Sequence, residues 1–175
     1  MIVGNKCCLR PLIYSDINYL NEWNHDEQVC KYLGNGFIPV SIDIQKKWMD
    51  SMMDTSGFST SKRYMILVDR IPVGLVGLYS INWIHRVAEI GLYIGNKKIR
   101  KKGIATEATK LLLEYAKNYL NLRKIKLYVV SDNTIAINLW NKIGFKRCGV
   151  LKDERYIDGC YRNLIIMEMM LDNEK

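Results

Sequence analysis

Residues 100–117, "RKKGIATEATKLLLEYAK", set three cations and a glycine directly before an apolar-periodic run. The first amides of a helix have no internal acceptor, and aligned peptide dipoles add partial positive charge there. Gly103 permits close approach of a ligand or an unusual dihedral angle, and Ala105 keeps the first turn free of bulk. Consecutive N–H groups there could therefore cradle a phosphate or pyrophosphate. Arg100, Lys101 and Lys102 would supply charge around it. Taken alone, the same residues also fit a solvated cationic turn. A P-loop is excluded because no Gly-Lys-Ser or Gly-Lys-Thr element occurs, and a dinucleotide fingerprint because one glycine stands where three are needed.

Glu89 is the second residue with chemical potential, a carboxylate inside the otherwise apolar "VAEIGLYI". It could collect a proton, with an ionisation shifted by partial burial, or simply pair with Arg86 or a neighbouring strand. His85 has suitable chemistry but reads equally well as an edge or loop histidine. Glu22, Asp26 and Glu27 could attract a cationic amine or form a solvated acidic cluster at helix ends. Cys148 and Cys160 would need a histidine beside them to act as acyl carriers, and burial is the expectation for both. With two histidines far apart and five cysteines lacking a CxxC pair, no metal site is expected.

The chain has 175 residues, 49% apolar and 25% charged, as in a soluble globular domain with a sizeable core. Its formal charge of +8 favours anionic partners. Zinc-finger spacing, heptads and a helix-turn-helix pattern are absent, so direct nucleic-acid binding is not expected. No apolar run approaches a membrane span, and the "MIVGNKCCLRPL" start does not read as a secretory leader. Free thiols then suit a cytoplasmic location.

The elements that must position these residues follow from periodicity. "KCCLRPL" reads as a short strand stopped by Pro11, and Ser15 or Asp16 could cap a helix through about Trp23. "SIDIQKKWMDSMM" reads as a second helix with Ile44, Trp48 and Met52 on one face, ending by Gly57. "RYMILVD", "VGLVGLYSI" and "RVAEIGLYI" form a meander whose first turn is "RIP". The helix after Gly103 carries Ile104, Ala108, Leu111, Leu112, Tyr115, Ala116 and Tyr119 as an apolar stripe. "KIKLYVV" alternates, with Ile125, Leu127 and Val129 on one side and Lys124, Lys126 and Tyr128 on the other. "NTIAINLWNKIG" is a helix that Asn133 can cap and Gly144 can stop, and "FKRCGVL" and "YRNLIIMEMML" supply the last strands.

This order resembles the Gcn5-related N-acetyltransferase (GNAT) superfamily. "RKKGIA" is similar to its Q/R-x-x-G-x-G/A pyrophosphate signature, and "NTIAINLWNKIGF" to its second cofactor segment, about 30 residues later. "HRVAEIGLYI" and "YIDGCYRN" look like the branch of ribosomal-protein amino-terminal and spermidine acetyltransferases. The resemblance implies a single N-acetyltransferase domain over residues 1–175. It implies an α/β fold with a mixed, mostly antiparallel sheet of six or seven strands, splayed at the cofactor site, and helices on both faces. It further implies an acetyl-CoA-dependent N-acetyltransferase acting by direct attack in a ternary complex on a primary amine: a protein amino terminus, a polyamine or another small amine. The alternative is a catalytically silent CoA-binding regulatory protein. By resemblance, backbone groups around Leu92, Tyr93 and Ile94 would pair with the pantetheine arm. Residues 100–106 would hold the pyrophosphate, Asn133 would touch the cofactor or cap its helix, and Glu89 would accept the amine's proton. Trp140 stands where many relatives carry tyrosine, so the indole would pack on pantetheine or shape the acceptor pocket. Tyr128, water or an unassisted thiolate would then complete the reaction. A homodimer is consistent with the branch.

Overall fold

The computed structural model describes residues 1–53 and 59–172; the helix stop expected at Gly57 lies outside them. Eight strands form one sheet in the order β1-β2-β3-β4-β5-β6-β8-β7. They are β1 (Ile2–Val3), β2 (Cys8–Pro11), β3 (Lys62–Val68), β4 (Ile71–Asn82), β5 (Val87–Ile94), β6 (Lys124–Val130), β7 (Lys146–Ile157) and β8 (Cys160–Met170). The strand beyond the expected six or seven is the two-residue β1 at the sheet edge. All neighbours are antiparallel except β5 and β6.

Helix α4 (Ile104–Asn118) and helix α5 (Thr134–Ile143) cover one face. Ile104, Ala108, Leu112 and Ala116 are buried against Val76, Leu78, Ile90 and Ile125, each large aliphatic side chain contributing about 1.5–3 kcal/mol. The expected stripe overreaches at Tyr119, which is 77% exposed because it caps the helix and stacks on Tyr115 at 5.5 Å instead of meeting the sheet. The opposite face carries α1 (Ile17–Asn24), α2 (Glu27–Cys30) and α3 (Ile42–Met53), whose Leu20, Trp23 and Met49 pack on Met65, Leu67 and Leu75.

Local chemistry explains several departures. Asp16 precedes α1, but its side chain does not cap the helix; it takes two hydrogen bonds from the Arg10 guanidinium at 2.8 and 2.9 Å and one from the Ile13 amide. In α3 the buried residues are Gln45 and Met49, while Ile44 is 55% exposed. The Ile44–Trp48 side therefore looks onto a cleft, with Trp48 also packing half-buried against the core. The first hairpin turns at Asp69–Arg70, both with positive φ, so Ile71 and Pro72 already belong to β4. Strand β7 runs six residues past the expected Leu151, and Asp158–Gly159, at φ 50° and 76°, make a tight turn into β8. That hairpin is the open edge of the sheet, which leaves Cys148 and Cys160 exposed and corrects the expectation of burial; Cys7 and Cys30 are buried.

Candidate active site

Two strands part at the centre of the molecule. Strands β5 and β6 pair in parallel only over Val87–Glu89 and Lys124–Lys126. Beyond Glu89 and Lys126 each strand stays bonded to its outer partner, β4 or β8, and the inner edges separate. The Gly95 amide donates to Val73 O at 2.9 Å, which fixes the alternation of the β4–β5 ladder. The peptide groups of Glu89, Gly91 and Tyr93 therefore turn toward β4, and those of Ile90, Leu92 and Ile94 toward the gap. The Ile94 carbonyl is taken by Arg100, whose Nη2 donates to it at 3.0 Å. The Leu92 peptide and the Ile94 amide face the gap beside it. Tyr93 instead buries its ring edge-on to Trp23, 5.9 Å between centroids, and burial raises its phenol pKa.

The amino end of α4 lies just past this gap in the chain. Gly103 stands at φ 82°, a left-handed conformation that favours glycine, and Lys101 has φ 64°. The first helical hydrogen bond runs from the Glu107 amide to Gly103 O, leaving the Ile104, Ala105 and Thr106 amides without a helical acceptor. Lys101, Lys102 and Arg100 are exposed around them. Lys6, which sequence reasoning missed, adds a fourth cation: its Nζ donates to Lys102 O at 3.4 Å. Glu107 secures that arrangement by accepting the amides of Asn5, Lys6 and Cys7 at 3.0, 2.7 and 2.9 Å. Partial burial opposes its ionisation, but these hydrogen bonds outweigh it, and its pKa falls below the ordinary value. Free amides, a left-handed glycine and four cations fit a pyrophosphate.

On the face carrying α1–α3, a cleft of about 690 Å³ opens between the sheet, α3 and the segment 32–40. Its floor includes Arg63, Leu75, Tyr79, Glu89, Gly91 and Tyr93, with Tyr128 at the parted edge. Glu89 is half-buried, its side chain 27% exposed, with the Lys126 ammonium at 3.4 Å. Arg86, one partner expected for it, instead bonds to Asn121 and pairs with Asp172. Lys126 donates to the Tyr128 hydroxyl at 3.4 Å. Desolvation works against its charge, yet that hydroxyl and Glu89 outweigh it and raise the Lys126 pKa. The β7–β8 hairpin walls the cleft through the Lys31–Asp158 ion pair and a hydrogen bond from Arg155 to the Gly34 carbonyl.

Other expected residues lie elsewhere. Trp140 is 5% exposed and packs edge-on to Phe145 at 5.4 Å within the core, so the indole does not line the cleft. Asn133 caps α5, its Oδ1 accepting the Ala136 amide at 3.2 Å. Asp26 caps α2 and pairs with Lys97 at 2.6 Å, and neither it nor Glu22 nor Glu27 lines the cleft. His85 borders a separate shallow depression beside Arg123 and Lys124. Among the described residues, no three His, Cys, Asp or Glu side chains stand together as metal ligands, and no helix is long and apolar enough to cross a membrane.

Parted strands beside a free helix end fit an acyl-CoA. Residues 6–146 match the model of the acetyltransferase (GNAT) domain, and the chain belongs to that family. It is an acetyl-CoA-dependent N-acetyltransferase that acts on an amine. The spermidine N(1)-acetyltransferase of Escherichia coli K12 is 33% identical over 159 residues, covering 91% of this chain and 83% of that one. A putative ribosomal N-acetyltransferase of Bacillus subtilis is 27% identical over 175 residues, covering 96% of this chain and 93% of its own. The structure of Vibrio cholerae spermidine N-acetyltransferase in complex with CoA and spermine superposes with a TM-score of 0.88 at 27% identity, covering 96% of this chain and 97% of that one.

Proposed function

We propose that residues 1–175 act as one acetyltransferase domain in which Glu89 receives the proton of a primary amine held in the cleft, within a ternary complex. The observation that carries this reading is the parting of β5 and β6 immediately beyond Glu89 and Lys126. Bound acetyl-CoA supplies the thioester carbonyl. The α4 amides of Ile104, Ala105 and Thr106, with Lys6, Lys101 and Lys102, hold its pyrophosphate, and Leu92 and Ile94 offer peptide groups to its arm. Arg100 acts on the arm's path indirectly, by occupying the Ile94 carbonyl.

An ammonium cannot attack a carbonyl, so the acceptor must first lose a proton. Glu89 faces the cleft at the point where the strands separate, and its ionised form has room for one proton. The Tyr128 hydroxyl accepts a hydrogen bond from Lys126 and keeps its own proton. We assign it to the departing thiolate, in the role that core-bound Trp140 cannot fill. Similarity to spermidine acetyltransferases supports a small flexible amine as acceptor. Acetyl-CoA use and five free cysteines support a cytoplasmic location. The Vibrio cholerae relative also has a dodecameric structure, which supports a higher assembly over a simple homodimer.

The test is acetyl-CoA titration by calorimetry, followed by an amine screen with free-thiol detection. Acetyl-CoA binding with amine-dependent thiol release is expected. Tight binding with no release from any amine would overturn the assigned chemistry.

A further inference from the structure

The cleft's charge is opposite to what a polycation needs. Of the described residues lining it, Glu89 is the one carboxylate, and Lys126 already pairs with it. Arg63 and Arg155 line the same cleft. Arg155 donates to the Gly34 carbonyl, and among the described residues no carboxylate pairs with it. Arg63 lies on the cleft floor between two rings, its guanidinium carbon 4.7 Å from the Tyr79 centroid and 5.7 Å from that of Trp48. Its Nη1 donates to Ser61 Oγ at 2.9 Å and contacts the Met52 sulfur. Among the described residues, no carboxylate pairs with Arg63.

The position of Arg63 is set by register. Arg63 stands opposite Gly77, which stands opposite Gly91, and the Tyr79 ring lies over both glycines, so its surface forms the floor between Arg63 and Glu89. Tyr79, two residues on, stands opposite Glu89. Arg63 and Glu89 thus lie on one sheet face, two strands and two residues apart, or about 12 Å between their Cα atoms. A planar guanidinium close to two rings, with no carboxylate paired to it among the described residues, matches a carboxylate or phosphate in two-point geometry.

We propose that the acceptor is a primary amine bearing an anionic group several bonds from its nitrogen, with Arg63 binding the anion while Glu89 takes the proton from the amine. Arg63 is then the residue that sets specificity against polyamines. This rests on the amine-acetylating reaction proposed above.

The test compares acceptors of similar length with different far ends: 6-aminohexanoate, its neutral amide 6-aminohexanamide, 1,5-diaminopentane and a 5-aminopentyl phosphonate. For the wild type, kcat/KM for the carboxylate or the phosphonate is expected to exceed that for the amide by at least about tenfold, with the diamine lowest. Which anion leads distinguishes a carboxylate acceptor from a phosphorylated one. Arg63→Gln should erase the preference through KM, Arg63→Lys should restore part of it, and Arg63→Glu should favour the diamine. Acetyl-CoA affinity should stay unchanged in all three, which reports that they fold. A wild type that prefers the diamine, or a preference that survives Arg63→Gln, overturns the inference and leaves the acetyl-transfer reading intact. Acetylation of no member would overturn both.

Discussion

The two ends of the active site are built in different ways. The cofactor end proposed above is made of backbone from one continuous segment: Gly103, the first amides of α4 and the adjoining cations. The acceptor end is made of side chains drawn from β3, β4, β5, α3, β6 and the β7–β8 hairpin. A backbone site demands one conformation and little side-chain identity, so it tolerates "RKKGIA" as readily as related spellings. A side-chain site changes ligand when one residue changes. On the proposed reading, the first end selects the acyl donor and the second the amine.

The largest effect should come where the two ends meet. Glu89→Gln is expected to lower kcat by about a hundredfold through loss of the proton acceptor, while acetyl-CoA affinity holds. Normal turnover across pH would remove Glu89 from the reaction. Gly103→Leu should do the reverse, weakening acetyl-CoA about thirtyfold, near 2 kcal/mol, by calorimetry. A Cβ at Gly103 meets only the flexible Lys6 Nζ, at 3.3 Å, so the fold has room; the damage is the positive φ and the crowding of the amides. Unchanged affinity would dissolve the distinction between a backbone-built and a side-chain-built end.

The same contrast explains what could be read from the sequence. The α4 cradle, the Asn133 cap and the alternation of β6 are local, and short-range chemistry announces each. The parting of β5 from β6 was expected from resemblance, since neither strand's composition shows it. The cleft was not legible because its members meet only through register: Arg63 reaches the floor by pairing opposite Gly77. For the acidic residues Glu22, Asp26 and Glu27 both readings stood open, and the structure places them outside the cleft, with Asp26 capping α2 and pairing with Lys97. Trp140 looked like a site residue by position, but its size and apolarity sent it into the core against Phe145. The long β7 was cut short because the charged "KDER" at 152–155 hides strand continuation on an edge with no buried face.

An intermediate effect separates the roles on β6. Tyr128→Phe removes the one hydroxyl proton that Lys126 leaves available, and kcat should fall about tenfold with little change in the acceptor's KM. The loss should shrink for an acyl donor whose thiol is more acidic, because its thiolate leaves without help. An equal loss for both donors would place Tyr128 in substrate binding and move it to the acceptor end of the comparison.

The smallest effect tests whether the cofactor end depends on anything beyond its own segment. Glu107 holds the amides of Asn5, Lys6 and Cys7 and so fixes Lys6 beside Gly103. Glu107→Gln should lower stability by about 1 kcal/mol at pH 7, measured by urea unfolding. The sign with pH follows from the direction of the shift. The folded carboxylate has a pKa below its ordinary value of 4.5, so its stabilisation is complete above that pH. It fades as pH falls through the lower folded value, so the gap between wild type and variant should close below about pH 4.5. Acetyl-CoA affinity should drop only about twofold, because Lys6 is one cation of four around amides that remain in place. A drop as large as that of Gly103→Leu would mean that the amino-terminal loop, and not the helix end, carries the pyrophosphate.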